Sequence, residues 1–588
     1  MRRLRSLAAF LGAVGLLATA AALSAPSRAE AAWPATIFAR DSITIAIVDG
    51  AAPDARGTDG TGPSLAGVGV YPGSRDAEAF LTQIGIGAPT GSVSGATGEA
   101  FGLLRALGDG VAVETAGRRA PLVAFGAPST PAGRSADEGR PVLRIVDGDA
   151  TDADLVIHVP PGGRTPLLLT MPGDGFRGLM AGGQSRRPGI VTPYDLSATI
   201  VRHFARPVPD GFVGGILVRD PGANPLDRAR TLAGRMERDV SFMQSLTAWT
   251  VVIGLGLGWL VAWLVALAGK RTLSQRLTVG ASTVTIGFLI GLFVPSARGD
   301  VRAIPLVALV ALAAWYPWRD REAAAMRFFV VAAGATAILA VIAAADPGGV
   351  VAHALWGNPL VSWRLFGLQN FATAFIAGGA VVGATRLGLR PLPLGLLSAA
   401  LIVVVGSPRI GANFVAVLTF AFGAAVAVAV LRAGTLRPSA VAVAAGIALA
   451  AFALALLADA GDATSHGGAA AQQIGRGGAG ALWDITIDRL RLNLRAINAF
   501  PGGWAWVVAF LALYAAMIRD ARTRPGWPAA RRAAVAAGAL AGLAALGLED
   551  SGFKTTAVLG FPALLLWTLA EAGRPLFPKE TAGQRRRA

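Results

Sequence analysis

The 588-residue chain contains no cysteine. That absence excludes disulfide cross-links and thiolate metal ligands. Lysine is also scarce, with only Lys270, Lys554 and Lys579, so nearly all basic residues are arginine. Charged residues make up only 15% of the chain, whereas hydrophobic residues make up 53%. This balance is typical of a polytopic membrane protein rather than a soluble one.

The net charge of +17 does not point to a nucleic-acid partner. In the second half of the chain most of the positive charge lies in short loops beside apolar segments. There it sets membrane orientation and meets anionic headgroups. No RNA- or DNA-binding motif accompanies it. The predicted partner is therefore the lipid bilayer, and no nucleic acid is expected.

Residues 246–571 contain a series of apolar stretches that predict an all-α polytopic membrane bundle of about 11 helices. Several are short for a membrane span, and many are rich in alanine and glycine, which favours close helix packing. The predicted spans are 248–268, 277–296, 303–318, 328–346, 369–385, 391–407, 414–431, 438–458, 503–518, 533–548 and 555–570.

The loops between these spans alternate between arginine-rich and arginine-poor. Arginine-rich loops remain in the cytoplasm during insertion, so the alternation predicts an outside start for the first span. It also places the basic tail 572–588 in the cytoplasm. The arginine-rich loops are 270–276, 319–327, 386–390, 432–437 and 519–532.

The N-terminus has a basic start, a short apolar core and small residues around 29–31. This pattern predicts a secretory signal peptide over residues 1–31, with an uncleaved membrane anchor as the alternative. Both interpretations place residues 32–245 outside the cytoplasm. The predicted location is thus the plasma membrane of a bacterial envelope.

Residues 32–245 lack long apolar runs and contain short aliphatic runs bounded by Gly, Pro or Asp. Thr192-Pro193-Tyr194-Asp195 is typical of a helix start, because a Thr cap precedes Pro at the first helical position and an acid at the third. The pattern predicts a mostly parallel, three-layer α/β domain. The predicted strands are 43–48, 121–125, 142–146, 155–159 and 166–169.

Two stretches resemble the alkaline phosphatase and sulfatase superfamily. Ile43–Gly50 is similar to its first strand and metal-binding aspartate, and Arg187–Ile200 is similar to its late "DLAPT" segment. The combination with a multi-span region resembles a family of multi-pass membrane proteins from actinobacteria. The stretches 406–413 and 549–552 are similar to the outer turns of that family. The resemblance implies an alkaline-phosphatase-like fold with a two-metal site.

The chain departs from the superfamily where the metal chemistry should lie. The strand ending at Thr170 runs into Met171–Gly175, and no histidine follows Asp174. The outer domain is therefore predicted to be a degenerate pseudoenzyme without a cofactor. The alternative keeps a divalent metal. The candidate metal ligands are Asp49, Asp147, His158, Asp174 and His203, although Asp49 also fits a solvated Asp-Gly turn. The candidate nucleophiles are Ser94 and Thr97, which also fit a flexible turn with helix-capping hydroxyls.

A second set of polar residues is predicted to lie at the outer mouths of the spans. Solvated loops, docking of the outer domain and a substrate site remain alternatives for it. The set comprises Arg364, Asn370, Arg409, Asn413, His466, Glu549 and Asp550. In the long outer loop 459–502, residues 482–497 have the spacing of an interfacial helix.

The preferred hypothesis is an envelope membrane protein whose outer domain binds rather than cuts. Its partners would be an envelope polymer, a lipid-linked glycan or another envelope protein. A metal-dependent hydrolase or transferase of phosphate or sulfate esters is the alternative. A transporter or lipid flippase is a second alternative, although the span interiors are nearly free of ionisable groups.

Overall fold

In the computed structural model the chain forms two compact units, which are described separately below. The first unit is an α/β domain that ends at Met243 and includes the later segment Asp346–Phe366. The second is helical and contains Gly367–Ala588. Apart from a few isolated positions, the structure describes residues 43–49, 63–69, 112–116, 142–147, 153–159, 166–172, 178–183, 185–204, 206, 215–244, 321–348, 366–460, 466–499, 502–549 and 552–571.

The α/β unit is built on one sheet in the order β3-β4-β1-β5-β6-β2-β7-β9, with β8 paired to β2. Most pairings are parallel, as predicted, but β6 is antiparallel to β5 and β2, and β9 is antiparallel to β7. The strands are β1 Ile43–Asp49, β2 Pro63–Gly69, β3 Ala112–Ala116, β4 Val142–Asp147, β5 Leu155–Val159, β6 Leu167–Pro172, β7 Gly178–Ala181, β8 Ile190–Val191 and β9 Val218–Pro221.

The central strands form because their aliphatic runs are buried. Ile45 and Ile47 in β1 and Leu155 and Ile157 in β5 are fully inaccessible to solvent. Continuous apolar runs of this kind are expected where a sheet is covered on both faces. Four of the five predicted strands coincide with β1, β4, β5 and β6, and the fifth, 121–125, lies outside the described residues.

Two helices complete the described part of the α/β unit, α1 (Pro193–His203) and α2 (Pro225–Gln244). The predicted start of α1 is confirmed. Thr192 caps the helix, and Thr192 and Asp195 form a reciprocal capping box with Pro193 at the first helical position.

The helical unit is an up-and-down arrangement in which consecutive helices joined by short turns pack against each other. Eight of the predicted spans coincide with described helices, and the first three, 248–318, lie almost wholly outside the described residues. The helices are α3 Arg321–Ala345, α4 Asn370–Arg386, α5 Pro391–Gly406, α6 Phe414–Ala433, α7 Pro438–Asp459, α8 His466–Ala499, α9 Gly503–Thr523, α10 Ala529–Leu548 and α11 Gly552–Glu571.

Four of these helices, α6, α7, α9 and α10, are long and apolar enough to cross a membrane. Three further apolar segments, at 329–345, 391–406 and 555–570, are shorter. Helix α7 packs little of its surface inside the protein, and its Leu454 and Leu457 are 67% and 70% exposed. Side chains this apolar are stable at such exposure in lipid rather than water. The helical unit therefore associates with membranes.

Glycines set the distance between neighbouring helices. A Cβ atom on Gly378 of α4 would meet the Leu559 carbonyl oxygen of α11 at 2.4 Å, and one on Gly379 would meet the Phe329 carbonyl oxygen of α3 at 2.7 Å. Adjacent glycines thus let two different helices approach α4. This agrees with the expectation that small residues allow close contact.

Arginines gather at one end of the helical unit. This arginine end contains the C-termini of α4, α6 and α9 and the N-termini of α5, α7 and α10. The opposite end, called the polar end below, contains the N-termini of α4, α6 and α11 and the C-termini of α5, α7 and α10. The residues of the arginine end are Arg386, Arg390, Arg432, Arg437, Arg519, Arg522, Arg524, Arg531 and Arg532.

Candidate functional site

Two of the candidate metal ligands lie at the carboxyl ends of neighbouring parallel strands, called the carboxyl edge of the sheet below. Asp49 is the last residue of β1 and is exposed, and Asp147 is the last residue of the neighbouring parallel strand β4. In the register of this pair Ile47 is opposite Asp147, so the two aspartates are two residues apart along the strand direction. The carboxyl ends of parallel strands are where polar sites form in α/β sheets.

His158 lies beside them in β5 but on the other face of the sheet. Its register partner in β1 is Val48, whereas Asp49 is opposite Val159. Successive side chains of a strand point to opposite faces, so the His158 ring and the Asp49 carboxylate are separated by the sheet. The His158 Nε2 atom is 2.9 Å from Thr170 Oγ1 on β6. This donor set does not form a shared metal site.

Burial sets the protonation of His158. The ring is 6% exposed. Burial, assisted by the positive charge of Arg230, lowers the pKa of His158 from 6.5 to about 4. The imidazole is thus neutral at physiological pH, which suits its place in the core.

Strand β6 runs antiparallel to β5 and ends at Pro172, so its carboxyl end lies at the edge opposite to Asp49. His203 is the last residue of α1, about 15 Å along the axis from the helix start. Asp174, Ser94 and Thr97 lie outside the described residues. Within the described part of the chain, no group of three or more His, Asp or Glu side chains could hold a metal ion.

The superfamily-like segment 187–200 has a structural role in this protein. The Asp195 carboxylate accepts hydrogen bonds from Thr192 Oγ1 at 2.7 Å and from the Gly215 backbone N–H at 2.9 Å. Thr199 Oγ1 accepts from the Leu217 N–H at 2.8 Å. These buried groups attach α1 to the segment 215–217, which leads into β9. The buried carboxylate thus orders backbone rather than facing a ligand.

A second feature of the same segment is the buried Arg187, which is 2% exposed. Burial lowers the pKa of its guanidinium to about 10, so the group remains charged at neutral pH. Ser185 stabilises the preceding turn by donating to the Ile190 carbonyl oxygen at 2.9 Å. Arg186 lies over the Phe366 ring, 4.9 Å from its centroid.

The described part of the α/β unit contains a groove beside α2, called the α2 groove below. Its volume is about 470 Å³, within the range of small-ligand sites. The lining combines two arginine side chains, an amide, a hydroxyl and one carboxylate with aliphatic side chains. The lining residues are Leu179, Pro188, Ala223, Asn224, Asp227, Arg228, Thr231, Leu232, Arg235 and Gly348.

One lining residue of the α2 groove, Gly348, comes from a distant part of the chain. The chain leaves the helical unit at Ala345, contributes Asp346–Phe366 to the α/β unit and returns at Gly367. Within the α/β unit, a Cβ atom on Gly348 would lie 3.8 Å from the Pro188 ring. The segment that joins α3 to α4 therefore belongs to the α/β fold.

In the helical unit, two of the predicted outer-mouth residues meet at the polar end. Asn413 caps α6 by accepting from the Ala416 N–H at 3.3 Å. Its Nδ2 donates to Asn370 Oδ1 at 3.0 Å and to Thr373 Oγ1 at 3.2 Å, both on α4. Asn413 is 1% exposed, so this network locks the starts of α4 and α6 together.

Other members of that set occupy the same end. Helix α8 begins at His466. Two residues later, Gly468 donates its N–H to Asp459 Oδ2 at 3.1 Å. Glu549 follows α10 and is buried, while Arg409 lies exposed in the turn between α5 and α6. Arg364 and Asp550 lie outside the described residues.

Several polar residues were not anticipated from the sequence. Asn493 of α8 donates to the Leu546 carbonyl oxygen at 2.6 Å, and Trp567 donates to Asp520 Oδ2 at 3.0 Å. Arg228 and Arg235 line the α2 groove. No local motif signals them, because each depends on a contact between elements that are distant in the sequence.

Comparison with known proteins gives no family assignment. No family model matches the chain, and no curated protein or solved structure matches it. The geometry of the described residues therefore carries the functional argument.

Proposed function

We propose that this protein is an integral plasma-membrane protein of a bacterial envelope whose α/β domain lies outside the cytoplasm. In this proposal the domain binds an envelope component without hydrolysing it. The ligand is a wall polymer, a lipid-linked glycan or a partner protein. The degenerate alkaline-phosphatase-like character of the domain, which the sequence resemblance implies, is part of the proposal.

The α2 groove carries the proposal. Arg228 and Arg235 offer positive charge and planar hydrogen-bond donors, and Asn224 and Thr231 add neutral polar groups beside aliphatic side chains. Asp227 adds one carboxylate, so the lining carries two positive charges and one negative charge. Such a lining suits a saccharide with anionic substituents, since guanidinium groups bind phosphate and carboxylate in a bidentate manner. None of the candidate metal ligands lines this groove.

The orientation is supported by two observations. Arginines gather at one end of the helical unit, as expected for a cytoplasmic end. The segment that joins the C-terminus of α3 to the N-terminus of α4, both away from the arginine end, is part of the α/β fold. In a protein that spans the membrane, the α/β domain and the polar end then lie on the same side, away from the arginines.

The groove can be tested by binding. In full-length protein in nanodiscs, Arg228→Gln and Arg235→Gln should each weaken binding of soluble anionic wall-polymer fragments several-fold in calorimetric titration. Arg202→Gln, on the exposed side of α1, is the matched control and should bind like the wild type. Equal affinity in all four proteins would remove the groove from the proposal.

A metal-dependent hydrolase or transferase is the second candidate, and the register of Asp49 and Asp147 at one edge favours it. These carboxylates are the residues that would hold a hard divalent cation there. The full-length protein should be assayed with Mn²⁺ or Zn²⁺ and generic phosphate and sulfate esters. We expect no turnover above that of Asp49→Ala. Turnover that Asp49→Ala abolishes, in a variant with unchanged thermal unfolding, would establish the enzyme instead.

A further inference from the structure

Helix α8 has three adjoining faces after its kink at Gly478. At 100° per residue, the buried Asn493 and Ile497 lie about 40° apart and mark the face that packs on the bundle. A second face carries Trp483, Leu490 and Leu494, which are 64%, 44% and 36% exposed. A third face carries only polar groups, namely Asp484, Asp488, Arg491, Arg495 and Asn498. A soluble surface helix would need only two of these faces, one toward the core and one toward water.

Both ends of α8 are tied to the polar end of the bundle. Near its start, the Gly468 N–H donates to Asp459 Oδ2 at the end of α7. Near its end, Asn493 donates to the Leu546 carbonyl oxygen of α10 at 2.6 Å. Because both ends meet the same end of the bundle and the helix is kinked at Gly478, α8 does not run from one end of the bundle to the other.

Exposed apolar side chains also lie at the ends of the two candidate spans that flank α8 in the chain. Leu457 lies near the end of α7, and Trp504 and Trp506, which are 54% and 52% exposed, lie near the start of α9. Trp504 Nε1 donates to Asn498 Oδ1 at 2.8 Å, which ties the polar face of α8 to the start of α9. Tryptophan concentrates at the level of the headgroups, and exposed apolar side chains of a span face lipid. The occupant that suits these exposed apolar side chains is therefore phospholipid.

We propose that α8 is an interfacial helix that binds the boundary between headgroups and acyl chains on the side of the polar end. The face of Trp483, Leu490 and Leu494 inserts into the acyl region. The face of Arg491 and Arg495 lies in the water and headgroup layer, which the exposed ion pair of Arg491 with Asp488 at 3.1 Å suits. This inference rests on the membrane placement of the bundle but not on the binding role of the α/β domain.

The absence of cysteine allows a direct test with single-cysteine variants of the full chain. Leu490→Cys samples the apolar face, Arg495→Cys the polar face, and Leu449→Cys the 59% exposed surface of α7. Each variant is labelled with an environment-sensitive fluorophore in nanodiscs. Quenching by lipids brominated near the headgroup is then compared with quenching by aqueous iodide. Only variants that retain wild-type thermal unfolding are compared. If Leu490→Cys unfolds at a lower temperature than the wild type, Leu494→Cys takes its place.

The expected result is that brominated lipid quenches the Leu490 label several-fold more than iodide does, and that the Arg495 label shows the reverse. Equal iodide quenching at both positions would overturn the inference, because α8 would then lie in water. Protection of the Leu490 label from both quenchers would also overturn it, because protein would cover the face. If the Leu449 label meets water rather than lipid, the membrane placement fails as well. If one of these contrary results is found for α8 while the Leu449 label meets lipid, only the proposed role of α8 is lost.

Discussion

At the scale of single residues, His158 couples the fold of the α/β domain to pH. The folded protein holds the ring neutral with a pKa of about 4, whereas an unfolded histidine takes up a proton below about pH 6.5. Between these values the unfolded state binds more protons, so stability falls as the pH falls. The loss is complete below pH 4 and amounts to about 2 to 3 kcal/mol.

The corresponding prediction compares the wild type with His158→Gln. The amide can still reach Thr170 Oγ1 but has no proton to gain, so the difference in unfolding free energy between the two proteins should change between pH 6.5 and 4. Denaturant unfolding at a series of pH values measures it. His203→Gln is the control. A constant difference across that range would mean that the ring is not held neutral.

Asn413 is the residue on which the polar end of the bundle depends. It caps α6 and donates to two acceptors on α4, so its removal takes one hydrogen bond from each of three groups on these two helices. Asn413→Ala should therefore destabilise the helical unit by about 1 to 3 kcal/mol. Asn413→Ser, which retains a helix cap, should lose less. Thermal unfolding in nanodiscs measures both, with the exposed Asp484→Ala of α8 as a control. Equal melting temperatures for Asn413→Ala and Asp484→Ala would contradict this role.

At the scale of elements, the tightest helix contact surrounds Tyr514 of α9. Its hydroxyl donates to the Thr556 carbonyl oxygen of α11 at 2.8 Å, and a Cβ atom on Gly542 of α10 would meet the ring at 2.8 Å. The contact fixes three helices at once, because Gly560 of α11 also touches the ring. Glycine is required there by the close approach of the aromatic ring.

Gly542→Ala should therefore lower the melting temperature of the bundle, because the ring must move away from α10 and its hydrogen bond to Thr556 is disturbed. Gly547→Ala is a matched control in the same helix, where an added Cβ atom meets no atom within 4 Å. It should be neutral or slightly stabilising, since alanine favours helix over glycine by about 1 kcal/mol. The comparison uses thermal unfolding in detergent. A smaller effect for Gly542→Ala than for Gly547→Ala would show that the α9–α10 packing is wrong.

The sequence predicted elements well where the signal is local. The capping box at Thr192 and Asp195 defines the start of α1, and the apolar run of β5 has the predicted bounds. The direction of β6 could not be predicted, because an apolar run between turns does not show whether a strand is parallel or antiparallel. That direction places the carboxyl end of β6 at the edge opposite to Asp49. For the same reason the α2 groove and the Asn493 contact depended on the structure.

At the scale of the whole molecule, the central claim is that the α/β domain and the arginine end lie on opposite sides of the plasma membrane. Because the chain has no cysteine, a membrane-impermeant maleimide reports only introduced cysteines. The most direct measurement labels Arg202→Cys on the exposed side of α1 and Arg437→Cys at the start of α7 in intact cells. The account predicts that Arg202→Cys is labelled at once and that Arg437→Cys is labelled only after the cells are permeabilised. Labelling of Arg437→Cys in intact cells, with Arg202→Cys protected, would contradict it.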